Sequence, residues 1–267
     1  MHVSPVTNSK GEVIFFVAIE RDITPEKEIE QRETEFISTA SHQLRTPMTG
    51  IRWVVERILK KETKLTARGK EYLRDIEKST TRLSQLIDAL LNVSRLDSAR
   101  VSIIPEPIEL VGVLKGYFDE CRPLIDKKQL KFTFKSKLQK LPIESDRSAL
   151  RNIIQSVVSN AIEYTPEAGK ITVSLEKAAN TFTVAVADTG IGIPKEAQRT
   201  IFEKFVRAAN AQLVKTDGTG LGLYIAREAT KFLGGKIWFE SEENKGTTFF
   251  VTLPLKSKKK EGERTLS

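Results

Sequence analysis

The chain has 267 residues, 39% of them hydrophobic and 29% charged, which suits a globular protein with one large domain or two modest ones. Its net charge is +8, but the 43 basic residues are interspersed with 35 acidic ones, so we expect no nucleic-acid partner. Cys121 is the only cysteine and there are two histidines, which excludes an internal disulfide and makes a metal cluster improbable on composition alone.

The N-terminal region predicts one β-strand followed by a helix. Residues 11–22, GEVIFFVAIERD, are rich in strand formers and follow a turn at residues 8–11. Because one strand is not stable by itself, this segment looks like the end of a larger domain. Thr24 can cap a helix whose first residue is Pro25. No apolar run reaches the roughly 18 residues that span a bilayer and no signal peptide is evident, so we expect a cytoplasmic location and no membrane segment in this chain. A membrane anchor upstream in a longer parent protein is left open.

Two long helices are predicted next. The first starts near Glu26 and contains Pro47, where a kink is expected because proline removes a backbone hydrogen bond. A break at 62–67 precedes a second helix with a heptad pattern of about three repeats. Its seam residues are Tyr72, Ile76, Ser79, Leu83, Leu86, Leu90 and Val93.

Two helices joined by a short break predict an antiparallel hairpin. One hairpin buries only one stripe of each helix, so a homodimer that forms a four-helix bundle would complete it. The alternative is that both stripes pack on the second domain. The regular heptads favour the dimer.

After Ala99 the pattern becomes mixed α+β, with a linker marked by Pro105 and Pro107. Helices are predicted over 110–127, 147–164, 194–202 and 221–233. Strands are predicted over 131–135, 170–176, 181–187, 236–241 and 247–255. This order indicates a mixed sheet with helices on one face.

The predicted fold class is therefore α+β and multidomain, a helical hairpin followed by an α/β sandwich. The expected domains are 1–24, 25–100 and 101–255. A basic tail over 256–267 is expected to be disordered, or to make a weak contact with an acidic partner.

Two glycine clusters lie where strands end or helices begin. DTGIGIP, residues 188–194, follows a predicted strand, and GTGLGL, residues 218–223, precedes a predicted helix. Glycine lets the backbone approach a ligand closely, and a helix N-terminus favours phosphate. Each cluster alone could be a plain turn. A dinucleotide fingerprint is disfavoured, because the second cluster does not follow a strand in a βαβ unit.

The ordered combination carries a family resemblance. Four segments in this order resemble the nucleotide-binding boxes of sensor histidine kinases. They are the helix with Asn160, DTGIGIP, FEKF at 202–205 and GTGLG at 218–222. These kinases share an ATP-binding fold with DNA gyrase and the heat-shock chaperone ATPases. The resemblance covers about residues 26–255 and implies ATP and Mg²⁺ as cofactors.

The resemblance also implies residue roles. Asn160 would ligate Mg²⁺ through its amide oxygen, and Asp188 would accept a hydrogen bond from the adenine amino group. A polar segment, 208–217, would be a mobile lid, and Arg207 and Lys215 either supply positive charge to the triphosphate or are solvated surface residues. The implied nucleotide-binding set is Asn160, Tyr164, Asp188, Gly190, Gly192, Arg207, Lys215, Gly218, Gly220, Leu221 and Gly222.

The chain departs from the family at two positions near Asn160. Glu163 stands where a basic residue is usual, so its carboxylate must point away from the phosphates or pair with a lysine. Ser156 stands where the kinases usually have asparagine.

SHQLRTP, residues 41–47, resembles the phosphoacceptor box of the same family, with His42 as acceptor. A largely neutral imidazole has a lone pair that can attack a γ-phosphoryl group. Most relatives place an acid after this histidine, but here it is Gln43, which cannot act as a base. We therefore expect slow autophosphorylation. Thr46 matches the position that aligns water for dephosphorylation in relatives, or is simply a helix residue before proline.

The resemblance implies a homodimer that passes phosphate from His42 to an aspartate of a response regulator and that can also dephosphorylate its partner. Residues 1–24 resemble the end of a PAS-type sensor domain. Two rivals remain open. A fold-related ATPase would need a water-activating glutamate at the position of Ser156, and a silent scaffold is suggested by Gln43 together with Glu163.

Overall fold

The computed structural model describes residues 2–9, 11, 13–19, 24–61, 65–97, 104–215 and 218–257. It begins with β1 (His2–Thr7) and β2 (Val13–Ile19), which pair antiparallel as a hairpin. The sequence pattern predicted only the second strand. The first was missed because Pro5, which interrupts a strand pattern, lies in its middle.

A hairpin of two long helices follows: α1 (Thr24–Lys61) and α2 (Ala67–Asp97). Met48 of α1 packs against Ile87 of α2, and the two helices are joined by residues 62–66, so the predicted helical hairpin is confirmed. The α1 helix continues through Pro47 without interruption. None of the described helices has the length and apolarity needed to cross a membrane.

The predicted heptad seam of α2 is left largely open in this single chain. Tyr72, Ile76 and Leu83 are 55%, 44% and 41% exposed. Among the α2 side chains that the structure describes, Thr80 and Ile87 are buried, and they lie beside this stripe, four positions after Ile76 and Leu83. An apolar stripe on a helix normally faces a packing partner, and this one is not covered by α1.

The remaining residues form an α/β unit. Its strands are β3 (Glu106–Glu109), β4 (Lys131–Ser136), β5 (Pro142–Ser145), β6 (Lys170–Lys177), β7 (Thr181–Asp188), β8 (Lys236–Glu242) and β9 (Gly246–Pro254). Its helices are α3 (Leu110–Lys127), α4 (Arg147–Tyr164), α5 (Ala209–Val214) and α6 (Gly222–Phe232).

Five strands form one sheet in the order β4-β6-β7-β9-β8, with β4 and β6 parallel and the other neighbours antiparallel. Alternate residues point to opposite faces of a strand, and one face is buried throughout, as at Val173, Val184 and Val251. The buried face packs against the apolar side of α4 in one core. The predicted sandwich with a mixed sheet is confirmed.

Several local predictions were wrong. Residues 195–202 form turns and not the helix predicted over 194–202. The region taken as a linker contains β3, which pairs antiparallel with the unpredicted β5. The C-terminal strand is followed by Lys256, which bridges to Glu144, and by the buried Ser257, so these two residues belong to the fold. Residues 258–267 of the expected tail lie outside the described part of the chain.

The end of α4 is held by a lysine that directly follows α3. Lys128, which follows α3, donates from Nζ to the carbonyl oxygens of Ile162, Glu163 and Thr165 at 2.8, 2.8 and 2.7 Å. The last carbonyl groups of a helix have no partner within the helix, and a cation there is also favoured by the helix dipole. Lys128 therefore satisfies the end of the helix that carries Asn160.

We predict that Lys128→Met lowers the free energy of unfolding of the α/β unit by about 1–3 kcal/mol, because partly buried carbonyl groups lose their charged donor. Urea denaturation followed by Trp238 fluorescence, in a Trp53→Phe background, measures this. Lys127→Met, at an exposed neighbouring position, is the control and should change stability little. Equal losses in both variants would contradict the role given to Lys128.

Candidate functional site

A cavity of about 460 Å³ lies between α4, the end of β7 and the N-terminus of α6. One wall is polar and the other contains apolar side chains, an arrangement typical of small-molecule sites. The apolar lining includes Ile193, Ile201 and Phe249, which are nearly fully buried.

The polar wall is one face of α4. Asp146 caps this helix by accepting from the amide of Ala149 at 2.9 Å. The helix buries its apolar face in the core and turns the opposite face to the cavity, as its periodicity requires. The lining residues on this face are Asn152, Gln155, Ser156, Ser159, Asn160 and Glu163.

Asn160 is half-buried in that wall. No hydrogen bond links its side-chain amide to another residue among those described. An amide oxygen directed to a cavity is a hard donor of the type that Mg²⁺ accepts. Among the described residues, no group of three acidic, histidine or cysteine side chains could hold a metal ion alone. The donor set therefore fits an ion that takes most of its ligands from a phosphate and water.

Asp188, the last residue of β7, is the carboxylate of the apolar end. Its Oδ1 accepts from the amide nitrogens of Gly190 at 2.8 Å and Thr247 at 3.2 Å. Within the described residues no hydrogen bond to Oδ2 is seen. Burial raises the pKa of Asp188 to about 6, and the two amide hydrogen bonds oppose that shift. The carboxylate is thus fixed through one oxygen, which leaves the other available to a ligand.

The turn after Asp188 packs too closely for side chains. A Cβ on Gly190 would lie 2.6 Å from the carbonyl oxygen of Tyr164. Gly192 has φ of +65°, and a Cβ there would overlap the carbonyl oxygen of Glu242. Glycine is the residue that adopts such a backbone at no steric cost. The first glycine cluster therefore allows the turn to fit between α4 and the β8–β9 hairpin.

The second cluster leads into α6. Gly220 has φ of +69°, and a Cβ there would lie 2.7 Å from the carbonyl carbon of Phe205. Gly222 starts α6, and no side chain caps its first amide groups. Since Gly222 and Leu223 line the cavity, the positive end of the helix dipole faces it, which favours an anion.

Residues 208–215, which we call the lid segment, close one side of the cavity and contain the unpredicted α5. The Arg207 guanidinium donates to the carbonyl oxygens of Ala211, at 3.1 Å, and Lys215. The Lys215 ammonium forms an ion pair with the Glu163 carboxylate at 2.5 Å. The sequence predicts that Glu163 either points away from the phosphates or pairs with a lysine, and the structure confirms the pairing. Residues 216 and 217 of the predicted lid lie outside the described part.

Most predicted nucleotide-binding residues meet at this cavity. The exceptions are Gly190 and Leu221, which are buried just behind its walls. The lining residues of the predicted set are Asn160, Tyr164, Asp188, Gly192, Arg207, Lys215, Gly218, Gly220 and Gly222.

The predicted phosphoacceptor residues are on α1, away from this set in the chain. Gln43 and Thr46 are exposed on that helix. His42 lies one residue before Gln43, and its side chain is outside the described part of the structure.

Sequence reasoning missed Asn210 and Thr247. Asn210 donates from Nδ2 to the carbonyl oxygen of Gly192 at 3.0 Å and so ties the lid segment to the glycine turn. Its buried Oδ1 has no partner among the described residues. Both residues contact the site through folding across distant parts of the chain, which no local pattern signals.

Comparison with known families gives two adjacent matches. Residues 145–257 match the family described as histidine kinase-, DNA gyrase B-, and HSP90-like ATPase. Residues 32–99 match the His Kinase A (phospho-acceptor) domain. The fold and cavity are thus those of an ATP-binding domain that follows a phosphoacceptor domain.

Individual relatives agree. The chain is 30% identical over 263 residues to the sensor histidine kinase WalK of Bacillus subtilis (strain 168). The matched region covers 98% of this chain and 43% of that relative. The crystal structure of full-length ShkA in complex with AMPPNP matches with a TM-score of 0.69 and 28% identity, over 85% of this chain and 47% of that one. The histidine kinase ThkA in complex with response regulator protein TrrA matches with a TM-score of 0.59 and 25% identity, over 94% and 73%.

The chain belongs to the sensor histidine kinases of two-component systems. It spans less than half the length of the curated relative it matches.

The raised pKa of Asp188 predicts a pH-dependent cost in stability. The folded state holds the proton up to about pH 6, whereas the unfolded chain releases it near pH 3.8, so the free energy of unfolding falls as pH rises between these values. We predict that Asp188→Asn is more stable than the native chain above pH 6, by about 2–3 kcal/mol, and equal to it near pH 4. Urea unfolding across this range measures the difference. Asp119→Asn, at an exposed position, should not differ from the native chain in this pH-dependent way.

Proposed function

We propose that the chain binds ATP in this cavity and transfers the γ-phosphoryl group to His42, from which it passes to an aspartate of a response regulator. The observation that carries the proposal is the convergence of Asn160, Asp188 and the N-terminus of α6 on one cavity. Asn160 suits a metal ion, Asp188 suits the base, and the N-terminus of α6 suits a phosphate. The chain that holds them belongs to the sensor kinase family.

The apolar end of the cavity would hold the adenine ring between side chains such as Ile193 and Phe249. Asp188 Oδ2 would accept a hydrogen bond from the exocyclic amino group. Guanine has a carbonyl oxygen at that position, so a carboxylate would repel it. Base selection then follows from one fixed oxygen. Tyr164 and the glycine turn complete this end of the site.

The phosphates would extend toward the uncapped amides at Gly222, with Lys215 and Arg207 nearby in the lid segment. Asn160 would hold Mg²⁺, which when bound neutralises charge on the phosphate oxygens. Phosphoryl transfer needs mainly alignment and charge stabilisation. The protein contribution is therefore to fix the triphosphate and to exclude water with the lid segment.

The acceptor would be the neutral imidazole of His42, since its lone pair attacks phosphorus. Gln43, exposed on the same helix, can accept a hydrogen bond from the ring but cannot take a proton near neutral pH. Proton removal would then depend on solvent. The reaction is expected to be slow.

A response regulator as second substrate is supported by the similarity to ThkA, whose structure is a complex with the response regulator TrrA. Thr46 lies four residues after His42, so both positions occupy the same side of α1. We assign Thr46 to the alignment of water in the reverse, dephosphorylating reaction.

A homodimer is supported by the exposed stripe of Tyr72, Ile76 and Leu83. A second hairpin would cover it in a four-helix bundle. We also assign residues 1–24 to the end of a PAS-type sensor domain, because the β1–β2 hairpin exposes consecutive apolar side chains at residues 13–16 and leads into α1.

Two other functions are weaker. A fold-related ATPase needs a carboxylate to activate water near Asn160, and Ser156 cannot supply it. A non-catalytic scaffold is favoured only by Gln43 and Glu163. The structure pairs Glu163 with Lys215, which removes half of that argument.

We predict that incubation with ATP and Mg²⁺ labels the protein with phosphate that is labile to acid and stable to base. His42→Ala should abolish the label. His2→Ala, which removes the only other histidine, should retain it. Release of phosphate without labelling would identify an ATPase, and neither signal would identify a scaffold.

We predict that Gln43→Glu increases the rate of autophosphorylation by about tenfold or more, because general-base assistance is typically worth 10²–10⁴-fold. Single-turnover labelling measures the rate. Gln43→Met, which has similar length and no base, should not accelerate it. An unchanged rate in Gln43→Glu would show that the missing acid does not limit the reaction.

A further inference from the structure

An ion pair crosses from α4 to the lid segment at the cavity. Glu163 and Lys215 lie 52 positions apart in the chain, their charged atoms are 2.5 Å apart, and their side chains are 34% and 33% exposed. Both line the cavity. The contact therefore closes the lid segment against the helix that carries Asn160.

The backbone at Lys215 is held as well. Arg207 donates to the carbonyl oxygens of Ala211 and Lys215, at the end of α5. A Cβ on Gly218 would lie 3.0 Å from the Arg207 guanidinium, so the glycine leaves room for it. Arg207 thus fixes the main chain at Lys215, and Glu163 fixes the ammonium group.

The position of Glu163 sets up a competition. It is three residues after Asn160, on the same side of α4, so a triphosphate bound near Asn160 would come close to its carboxylate. Like charges repel, whereas the Lys215 ammonium would attract the same phosphates. A partly exposed ion pair is weak enough to exchange partners. Phosphates that enter the cavity would therefore compete with Glu163 for Lys215.

We propose that Glu163 is a positioning residue that acts through Lys215. It holds the lid segment against α4 when no nucleotide is bound, and it releases the ammonium to the phosphates when nucleotide enters. Glu163 then sets how tightly the site binds nucleotides according to their number of phosphates. The second half of this inference rests on the proposed binding of ATP.

Hydrogen exchange without nucleotide tests the first half. The amides of Gln212 and Lys215 donate to the carbonyl oxygens of Ala208 and Ala211 within the lid segment. Glu163→Gln should accelerate their exchange severalfold, and Lys215→Gln should do the same from the other side of the pair. Glu167→Gln removes an exposed carboxylate four positions further along the chain, beyond the end of α4, and should leave the exchange unchanged. Unchanged exchange in both pair variants overturns the proposal.

Nucleotide affinity tests the second half. Glu163→Gln should bind ATP about three- to tenfold more tightly than the native chain, with a smaller gain for ADP and none for AMP. The gain should disappear in the double variant Glu163→Gln/Lys215→Met, because it comes from the released ammonium. Equal ATP affinities in native and Glu163→Gln proteins, or a gain that persists in the double variant, overturn the role of Lys215.

The two arms separate this inference from the proposed function. The proposed nucleotide site is wrong if the native protein does not bind ATP, or if Asp188→Asn leaves its ATP binding unchanged. The exchange measurement needs no nucleotide, so it still decides whether Glu163 holds the lid segment.

Discussion

The ammonium group of Lys128 donates to three carbonyl groups at the end of α4, and the geometry of the cavity depends on that contact. The same helix end supplies the Tyr164 carbonyl oxygen, which accepts from the amide of Ile191 at 3.2 Å and limits residue 190 to glycine. A shift in the last turn of α4 would therefore move Asn160 and the turn after Asp188 together. The two ends of the cavity that we assign to a metal ion and to the base are thus connected through one helix terminus.

Two carboxylates line a cavity that we assign to a polyanion, and the fold handles them differently. Asp188 lies at the end that we assign to the base. Burial raises its pKa to about 6, and two amide donors hold one oxygen. Glu163 is on the phosphate side, where it is neutralised by a lysine from the lid segment. The first carboxylate can remain charged and rigid because its task is to recognise a base. In our proposal the second exchanges its partner, which its partly exposed position allows.

Much of the fold could be predicted from the sequence, and the failures have physical causes. The bounds of α3 and α4 agree with those predicted from their regular apolar faces, and in the structure Glu109 and Asp146 cap the two helices. A helix is predicted over 194–202, whereas residues 195–202 form successive turns. The strands β3 and β5 have four residues each, too few for a periodic signal, and Pro107 argued against the first.

Most of the residues predicted for the candidate site line one cavity, whereas the contacts that shape this cavity were not predicted. The glycine clusters and Asp188 were found because their spacing is local and ordered. The contacts of Lys128 with α4 and of Asn210 with the glycine turn join residues 18 to 37 positions apart, and no pattern in the chain marks them. The pairing of Glu163 was anticipated on electrostatic grounds, because an unpaired carboxylate at that place would oppose the ligand.

The helix α1 places a mechanical constraint on the phosphoacceptor region. It runs as one element from Thr24 to Lys61, so its N-terminus and His42 lie on one continuous helix. Pro47 has no amide hydrogen, which leaves the carbonyl group of Gln43 without its helical donor four residues on. The helix is thus weakest in the turn that begins just after His42. A bend imposed from the N-terminal side would concentrate there and change the relative directions of Gln43 and Thr46. Under the roles that we propose for His42 and Thr46, such a bend would alter phosphorylation and dephosphorylation through the geometry of this turn.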